Sequence, residues 1–231
     1  LGNCDWVPIL KDSLTSNINK IVLYTKKDAP GEYCTKDFDD IFLVENVGRN
    51  MSDISEFIYR NYNLLTGRVL FLKANAFSRE PAHCLISDVV EACVNNKNVA
   101  LVNPQLKTKL PYSCFDSYDG IYQEINNNWI GRVGLRTRYV YSFDNLMHIL
   151  FSNYSSLLFI KFPPGGNFLI GADKIKAQPI YIYKFLYEFV SYEDETMELM
   201  VIERALYLIW TGKLIAREEN EISNLIKSNK K

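Results

Sequence analysis

Two stretches of this chain carry residue types suited to phosphate chemistry. The first is Asn46-Val47-Gly48-Arg49-Asn50, a polar turn between an apolar run and a helix-like segment. In such a turn the glycine lets the backbone approach a ligand, the helix that follows offers free N–H groups, and the arginine is a bidentate donor. Asn46, Gly48 and Arg49 are therefore candidate phosphate contacts. The second stretch, Lys73-Ala74-Asn75, follows the apolar run Arg68 to Leu72. There Lys73 would neutralise a diphosphate and Asn75 would hydrogen-bond a sugar or substrate. Each has a plainer alternative: a strand-to-helix turn with a surface arginine, and strand-end polar residues facing water.

Other candidates lie further out. Asn3 and Asp5, in Asn3-Cys4-Asp5-Trp6, would sit at the end of a first strand, where Asp5 could accept hydrogen bonds from a base or ribose or cap the next helix, two compatible readings. Pro163-Pro164-Gly165-Gly166-Asn167-Phe168 reads as a bulge or hairpin, or as a loop that lets a ligand approach the chain. Glu203 and Arg204 interrupt Met197 to Trp210, a segment apolar almost all round and so expected to be buried. A buried charge must be paired or used, so Glu203 is either one half of an ion pair or a general base. Asp37, Asp39 and Asp40 superficially resemble a D-x-D metal motif but precede their strand, and a solvated acidic loop is the expectation. Asp116 and Asp119 in CFDSYDG are poorly spaced for a metal. With two histidines a multi-histidine metal site is excluded by count, and no Ser–His–Asp or Cys–His triad suggests itself.

The elements that must position these residues follow from periodicity. A helix is expected over Val7 to Asn17, then strands at Ile21 to Tyr24 and Ile41 to Val44. Asp53 would cap the next helix, with Glu56 completing a capping-box-like pair, and Ile54, Phe57, Ile58 and Leu65 form its apolar face. With the strand Arg68 to Leu72 this makes a strand–turn–helix–strand unit of the kind that builds parallel sheets, and such sheets place ligands beyond strand C-termini. Helices are expected over Cys84 to Asn95, Asp144 to Phe151 and Ile180 to Val190, the last opened by Pro179. Strands are expected at Val99 to Val102, Ser156 to Phe162 and Asn167 to Gly171, with loops and short strands from Asn103 to Arg138. The charged tail from Arg217 reads as a solvated terminal helix. The fold class is α/β, with a mostly parallel central sheet flanked by helices.

Composition narrows the class. The 231 residues suffice for a full core in one domain. A formal net charge of −1 argues against a nucleic-acid surface. The five cysteines contain no C-x-x-C pair, which fits reduced thiols and a cytoplasmic setting. No apolar run is long enough to span a bilayer, and LGNCDW has no signal-peptide character.

Taken in order, several of these stretches resemble an uncharacterised family whose members look like glycosyltransferases with a GT-A-type, Rossmann-related fold. Its landmarks are N-E-D-x-x-W, Y-N-K, N-x-G-R-E, F-L-Q, P-G-x-x-F and a late E-R. Here they read Asn3-Cys4-Asp5-Trp6, Tyr24-Thr25-Lys26, Asn46 to Asn50, Phe71-Leu72-Lys73, Pro164-Gly165-Gly166-Asn167-Phe168 and Glu203-Arg204. The N-x-G-R turn is also similar to that of rhamnan-synthesis-type glycosyltransferases. The resemblance implies one domain over 1–231, with a nucleotide-binding half at 1–102, an acceptor-side half at 103–212 and a charged tail at 213–231. It implies sugar transfer from a nucleotide-sugar donor to a glycan or other hydroxyl acceptor, or, in the alternative, a non-catalytic carbohydrate or nucleotide-sugar binding module. Asn3, Asp5 and Tyr24 would line the nucleotide side; Asn46, Gly48, Arg49, Lys73 and Asn75 would lie near the diphosphate and donor sugar. Pro164, Gly165, Gly166 and Phe168 would shape the acceptor side, and Glu203 would be the catalytic base of an inverting enzyme. Departures from the pattern are Cys4, Asn50 and Lys73 in place of two glutamates and a glutamine. No D-x-D follows the Arg68 to Leu72 strand. That implies metal-independent transfer, with Arg49 and Lys73 neutralising charge, or lost activity; manganese or magnesium stays an open option.

Overall fold

The computed structural model describes residues 6–14, 18–27, 35–77, 84–101, 113–118, 120–125, 130–132, 135–157, 159–162 and 166–229. In chain order the helices among them are α1 (Trp6–Ser13), α2 (Arg49–Asn61), α3 (Ile86–Val94), α4 (Phe143–Leu150), α5 (Ala172–Lys176), α6 (Ile180–Val190), α7 (Met197–Thr211) and α8 (Glu219–Asn229). The strands are β1 (Val22–Lys26), β2 (Asp40–Val44), β3 (Arg68–Phe71), β4 (Val99–Ala100), β5 (Ser113–Asp116), β6 (Tyr122–Ile125), β7 (Ile130–Arg132), β8 (Ile160–Lys161) and β9 (Phe168–Gly171).

The class is mixed α/β, but the expected parallel central sheet does not form. Among the described residues only β1 and β2 pair in parallel, with Tyr24 opposite Phe42. In the second sheet β9 lies between β3 and β4 and runs antiparallel to both. The third, ordered β7-β6-β5-β8, is antiparallel throughout. The physical reason lies in β9. All four of its residues are buried, as befits a strand covered on both faces. It takes the place between β3 and β4 that a third parallel strand would have held. Those two strands still run in the same direction, so the β3–α3–β4 passage keeps the sense of a crossover while its ends pair with β9.

The larger core joins α2, α4, α6, α7 and α8 to β9. Trp210 is central to it: its ring stacks on Phe71 at 5.9 Å and meets Phe168 edge-on at 5.2 Å. Its indole N–H donates to the Tyr183 hydroxyl at 3.2 Å, and that hydroxyl donates to the Ile175 carbonyl at 2.8 Å. The buried polar atoms are thus satisfied in a chain. A smaller core packs α1 and α3 around Ala76, Leu101 and Leu169. α8 also departs from expectation. It is no solvated tail, because Ile222 is fully buried and Ile226 nearly so. Two apolar residues four apart form one face, and the tail docks through it.

Cys84, Cys93 and Cys114 are free thiols. Burial pushes Cys84 up to about 11 and Cys114 up to about 12. Since the thiolate is the nucleophile, neither is expected to react with a thiol reagent at pH 8 until the chain unfolds. Labelling before and after denaturation, read by mass spectrometry, checks this; modification of Cys114 in the native protein would contradict it.

Candidate functional site

The turn Asn46 to Asn50 is shaped by its contacts. Gly48 has φ +59° and Arg49 φ +46°, two left-handed residues in succession. The Gly48 N–H donates to the Glu193 carbonyl at 2.9 Å, and a Cβ on Gly48 would lie 2.5 Å from the Val190 carbonyl oxygen. Ser52 donates to the carbonyls of Val47 at 2.6 Å and Arg49 at 2.9 Å. Lys26, the last residue of β1, reaches the carbonyls of Glu45 and Arg49, both at 3.3 Å, and the Asp53 carboxylate at 2.8 Å. α2 therefore begins at Arg49, and the expected Asp53 cap is replaced. Gly48 holds the cap position, while Asp53 sits a turn inside the helix and pairs with Lys26. Burial raises the Asp53 carboxyl above its ordinary range, against the opposing pull of Lys26. Glu56 pairs with Arg60 instead of reaching back. Gly48→Ala is expected to cost more than the ~1–2 kcal/mol of a left-handed alanine, because the clash is with backbone. A fall in the urea midpoint at unchanged slope would register it, and wild-type stability would rule it out.

Next to this turn, residues distant in sequence converge. The Cβ position of Gly166, at φ +65°, is 2.7 Å from the Asn50 amide nitrogen and 3.3 Å from Lys73 Cε. The Asn50 amide nitrogen is buried and has no hydrogen-bond partner among the described residues. The Lys73 N–H donates to Asn167 Oδ1 at 2.9 Å, which joins the β3 end to the loop before β9. Lys73 Nζ is 3.9 Å from Glu203 Oε1, and Glu203 Oε1 is 2.9 Å from Arg204 Nη1. Arg204 turns its other edge to Glu124, with Nε and Nη2 at 2.8 and 3.2 Å from the two carboxylate oxygens. Tyr122 donates to the same carboxylate at 2.6 Å, and the guanidinium lies 4.5 Å from the centre of the Phe162 ring. Burial works against the Arg204 charge, but Glu203 and Glu124 outweigh it and hold the guanidinium above its ordinary pKa. The result is an alternating row, Lys73, Glu203, Arg204 and Glu124, running inward from the β3 end.

The sequence candidates divide around this row. Lys73, Gly166 and Glu203 meet, together with Asn50. Asn75 is half-buried in the turn closed by the Ala76 N–H on the Lys73 carbonyl at 2.9 Å. Trp6 brings the N-terminal segment to the same turn by donating to the Ala74 carbonyl at 2.9 Å. Asn3, Asp5, Pro164 and Gly165 lie outside the described residues. Asn46 is exposed just after β2. Arg49 is half-exposed and pairs with Asp194 at 3.7 Å and with Glu195. Tyr24 packs against Phe42 at 5.3 Å and Phe57 at 6.4 Å, and burial pushes its hydroxyl up to about 12. Phe168 corrects its expectation: its ring is fully buried against Trp210 and shapes no acceptor surface, because β9 is the inner strand of its sheet.

Tyr122 and Glu124 were not among the sequence candidates. The signal available was a glutamate on the inward phase of the alternating run Tyr122-Gln123-Glu124-Ile125, whose burial alternates accordingly. Glu198 was also missed. It is a fully buried carboxylate that accepts from the N–H groups of Arg138, Tyr139 and Val140 at 2.8, 2.6 and 3.1 Å. It holds that loop on the start of α7 and is structural.

A cleft of about 300 Å³ opens where β2 ends, lined by Val44, Glu45, Asp53, Glu56, Tyr187 and Ser191. It adjoins the C-terminal ends of the parallel pair β1–β2, and Asp53 lies one helical turn from Asn50. Among the described residues no group of three or more His, Cys, Asp or Glu is arranged to hold a metal ion, and no helix is long and apolar enough to cross a membrane. Compared with known proteins, the chain matches no family model, no curated protein and no solved structure.

Proposed function

We propose that the chain transfers a sugar from a nucleotide-sugar donor to a hydroxyl of a glycan or other acceptor, on a GT-A-like arrangement of its elements. The observation that carries this reading is the meeting of Asn50, Lys73, Gly166 and Glu203, four positions spread over more than 150 residues of sequence, at one strand end beside a helix N-terminus. In this reading the cleft beyond β2 takes the nucleoside, with the Asp53 and Glu56 carboxylates accepting from ribose hydroxyls. The diphosphate extends along the first turn of α2, where Asn50 supplies its unpaired amide N–H and Lys73 a positive charge. Glu203 takes the proton of the acceptor hydroxyl as that oxygen bonds to the anomeric carbon. The bond from that carbon to the diphosphate breaks, and the electron pair leaves on a phosphate oxygen that Lys73 stabilises.

A second reading, a non-catalytic nucleotide-sugar binding module, is favoured by one feature: the Glu203 carboxylate is already engaged by Lys73 and Arg204. One series separates the two. Nucleoside diphosphates, with and without magnesium or manganese, should raise the melting temperature, and Glu203→Gln should keep that shift while lowering transfer about 10²–10⁴-fold. Stabilisation without transfer in the unaltered protein selects the binding module. No stabilisation by any nucleotide removes both readings.

A further inference from the structure

A second groove lies away from this centre, where the β5–β6 turn faces the first turns of α4. Its volume is about 430 Å³ and its lining includes Asp116, Tyr118, Tyr141, Asp144, Asn145 and His148. Both tyrosines are exposed, Tyr118 completely and Tyr141 by 53%, and neither hydroxyl has a partner among the described residues. The polar groups differ in how far they are already used. Asp116 spends both carboxylate oxygens on the N–H groups of Phe143 and Asp144, at 3.1 and 2.7 Å. That caps α4 and removes its N-terminus as an anion site. Asp144 is fixed through one oxygen by the Tyr154 hydroxyl at 2.7 Å, and its other oxygen takes no hydrogen bond among the described residues. Among the described residues the Asn145 side chain accepts only a long contact from the Tyr141 N–H, at 3.4 Å, and its amide N–H groups have no partner there. Among the described residues no lysine or arginine lines the groove.

This combination selects a ligand class. Two carboxylates, with no lysine or arginine among the described lining residues, repel phosphates and uronic acids. An apolar ligand would strand the oxygen of Asp144 and the amide of Asn145 without partners. Side by side, that oxygen and that amide match neighbouring hydroxyls, which both donate and accept. The two exposed rings present electron-rich faces to the C–H side of a sugar ring. We propose that this groove binds a neutral saccharide.

Asp116 stands opposite Tyr122 in the β5–β6 pair. Tyr122 in turn bonds Glu124, the inner end of the charged row. The groove is thus about two residues, or roughly 7 Å along the strands, from that row. Its role as the acceptor subsite rests on the transferase reading; saccharide binding does not.

The test uses the full chain and a neutral glucose, mannose or N-acetylglucosamine trisaccharide, followed by NMR. Saturable shifts are expected at the Asn145 side-chain amide and the Tyr118 and Tyr141 rings with at least one of the three. Affinity should fall at least about tenfold in Tyr141→Ala and in Asp144→Asn, with the remaining α4 amides unmoved as a check on folding. No response to any trisaccharide overturns the proposal, as does affinity unchanged in both variants. Saturation by choline or spermidine without a saccharide response also overturns it and identifies an organic-cation site. Nucleoside-diphosphate binding measured on the same samples reports separately on the transferase reading: its absence beside intact saccharide binding sinks that reading alone.

Discussion

Replacing Arg204 with alanine is expected to destabilise the fold by about 3–5 kcal/mol, the range for breaking a buried ion pair from one side. Glu124 has no exposed surface, and Arg204 supplies both of its charged contacts. Without the guanidinium the carboxylate keeps, among the described residues, only the Tyr122 hydroxyl, and an unpaired buried charge is among the most costly groups a core can hold. The ring of Phe162 also loses the cation packed over it. In a chain of this size the loss corresponds to a fall in melting temperature on the order of 10 °C. The control is Arg204→Met combined with Glu124→Leu, which removes both charges and keeps apolar volume. Such exchanges are often close to neutral, so the double variant should recover most of the stability. If the single variant melts within a degree or two of the unaltered protein, Arg204 does not anchor Glu124, and the charged row has no structural footing at its inner end.

That row also shows where sequence reading stops. Periodicity marked the helices well because an apolar stripe recurring every three or four residues is a local property. Ile54 and Ile58 on α2, Ile182, Phe185 and Phe189 on α6, and the nearly all-apolar α7 are buried as their spacing requires. Strand partnership is not local. Phe168 to Gly171 reads equally well as a parallel or an antiparallel strand, and only its insertion between β3 and β4 decides. Arg204 shows the same limit. An arginine in an apolar helix announces that a carboxylate must be near, and Glu203, its neighbour in sequence, supplies one. The other half of the pairing comes from Glu124, 80 residues away, in a stretch whose turns and short strands give little periodic signal. The start of α2 was misplaced for a related reason. Asp53 has the chemistry of a cap, but the Val190 carbonyl that presses on Gly48 and the Glu193 carbonyl that takes its N–H come from the end of α6 and the turn after it. Those contacts admit only a glycine at the turn, and the helix begins directly after it.

Lys73→Met is expected to weaken nucleoside-diphosphate binding about tenfold to a hundredfold, corresponding to the ~1.5–3 kcal/mol of a charge-assisted hydrogen bond. Methionine keeps the length and most of the packing of the lysine stem, so the change falls mainly on charge. Lys73 has two possible employments. Its Nζ lies 3.9 Å from Glu203, and a purely structural lysine would serve only that pairing. Its loss would then lower stability and leave ligand affinity untouched. A lysine that meets phosphate would instead show reduced affinity together with a weaker dependence of binding on salt, since screening acts on the charge that has been removed. Gly166→Ala provides the geometric counterpart. The added Cβ meets the Asn50 amide at 2.7 Å, Met51 Cε at 3.2 Å and Lys73 Cε at 3.3 Å, all ends of side chains that can swing aside. Unlike those of Gly48→Ala, its three nearest contacts are all with side chains, so the fold bears chiefly the ~1–2 kcal/mol of a left-handed alanine. The ligand contacts move with Asn50 and Lys73. Calorimetric titration of both variants with a nucleoside diphosphate at low and high salt decides the matter. Affinity unchanged in both would show that Asn50, Lys73 and Gly166 meet for packing alone, and the diphosphate would have to be sought elsewhere.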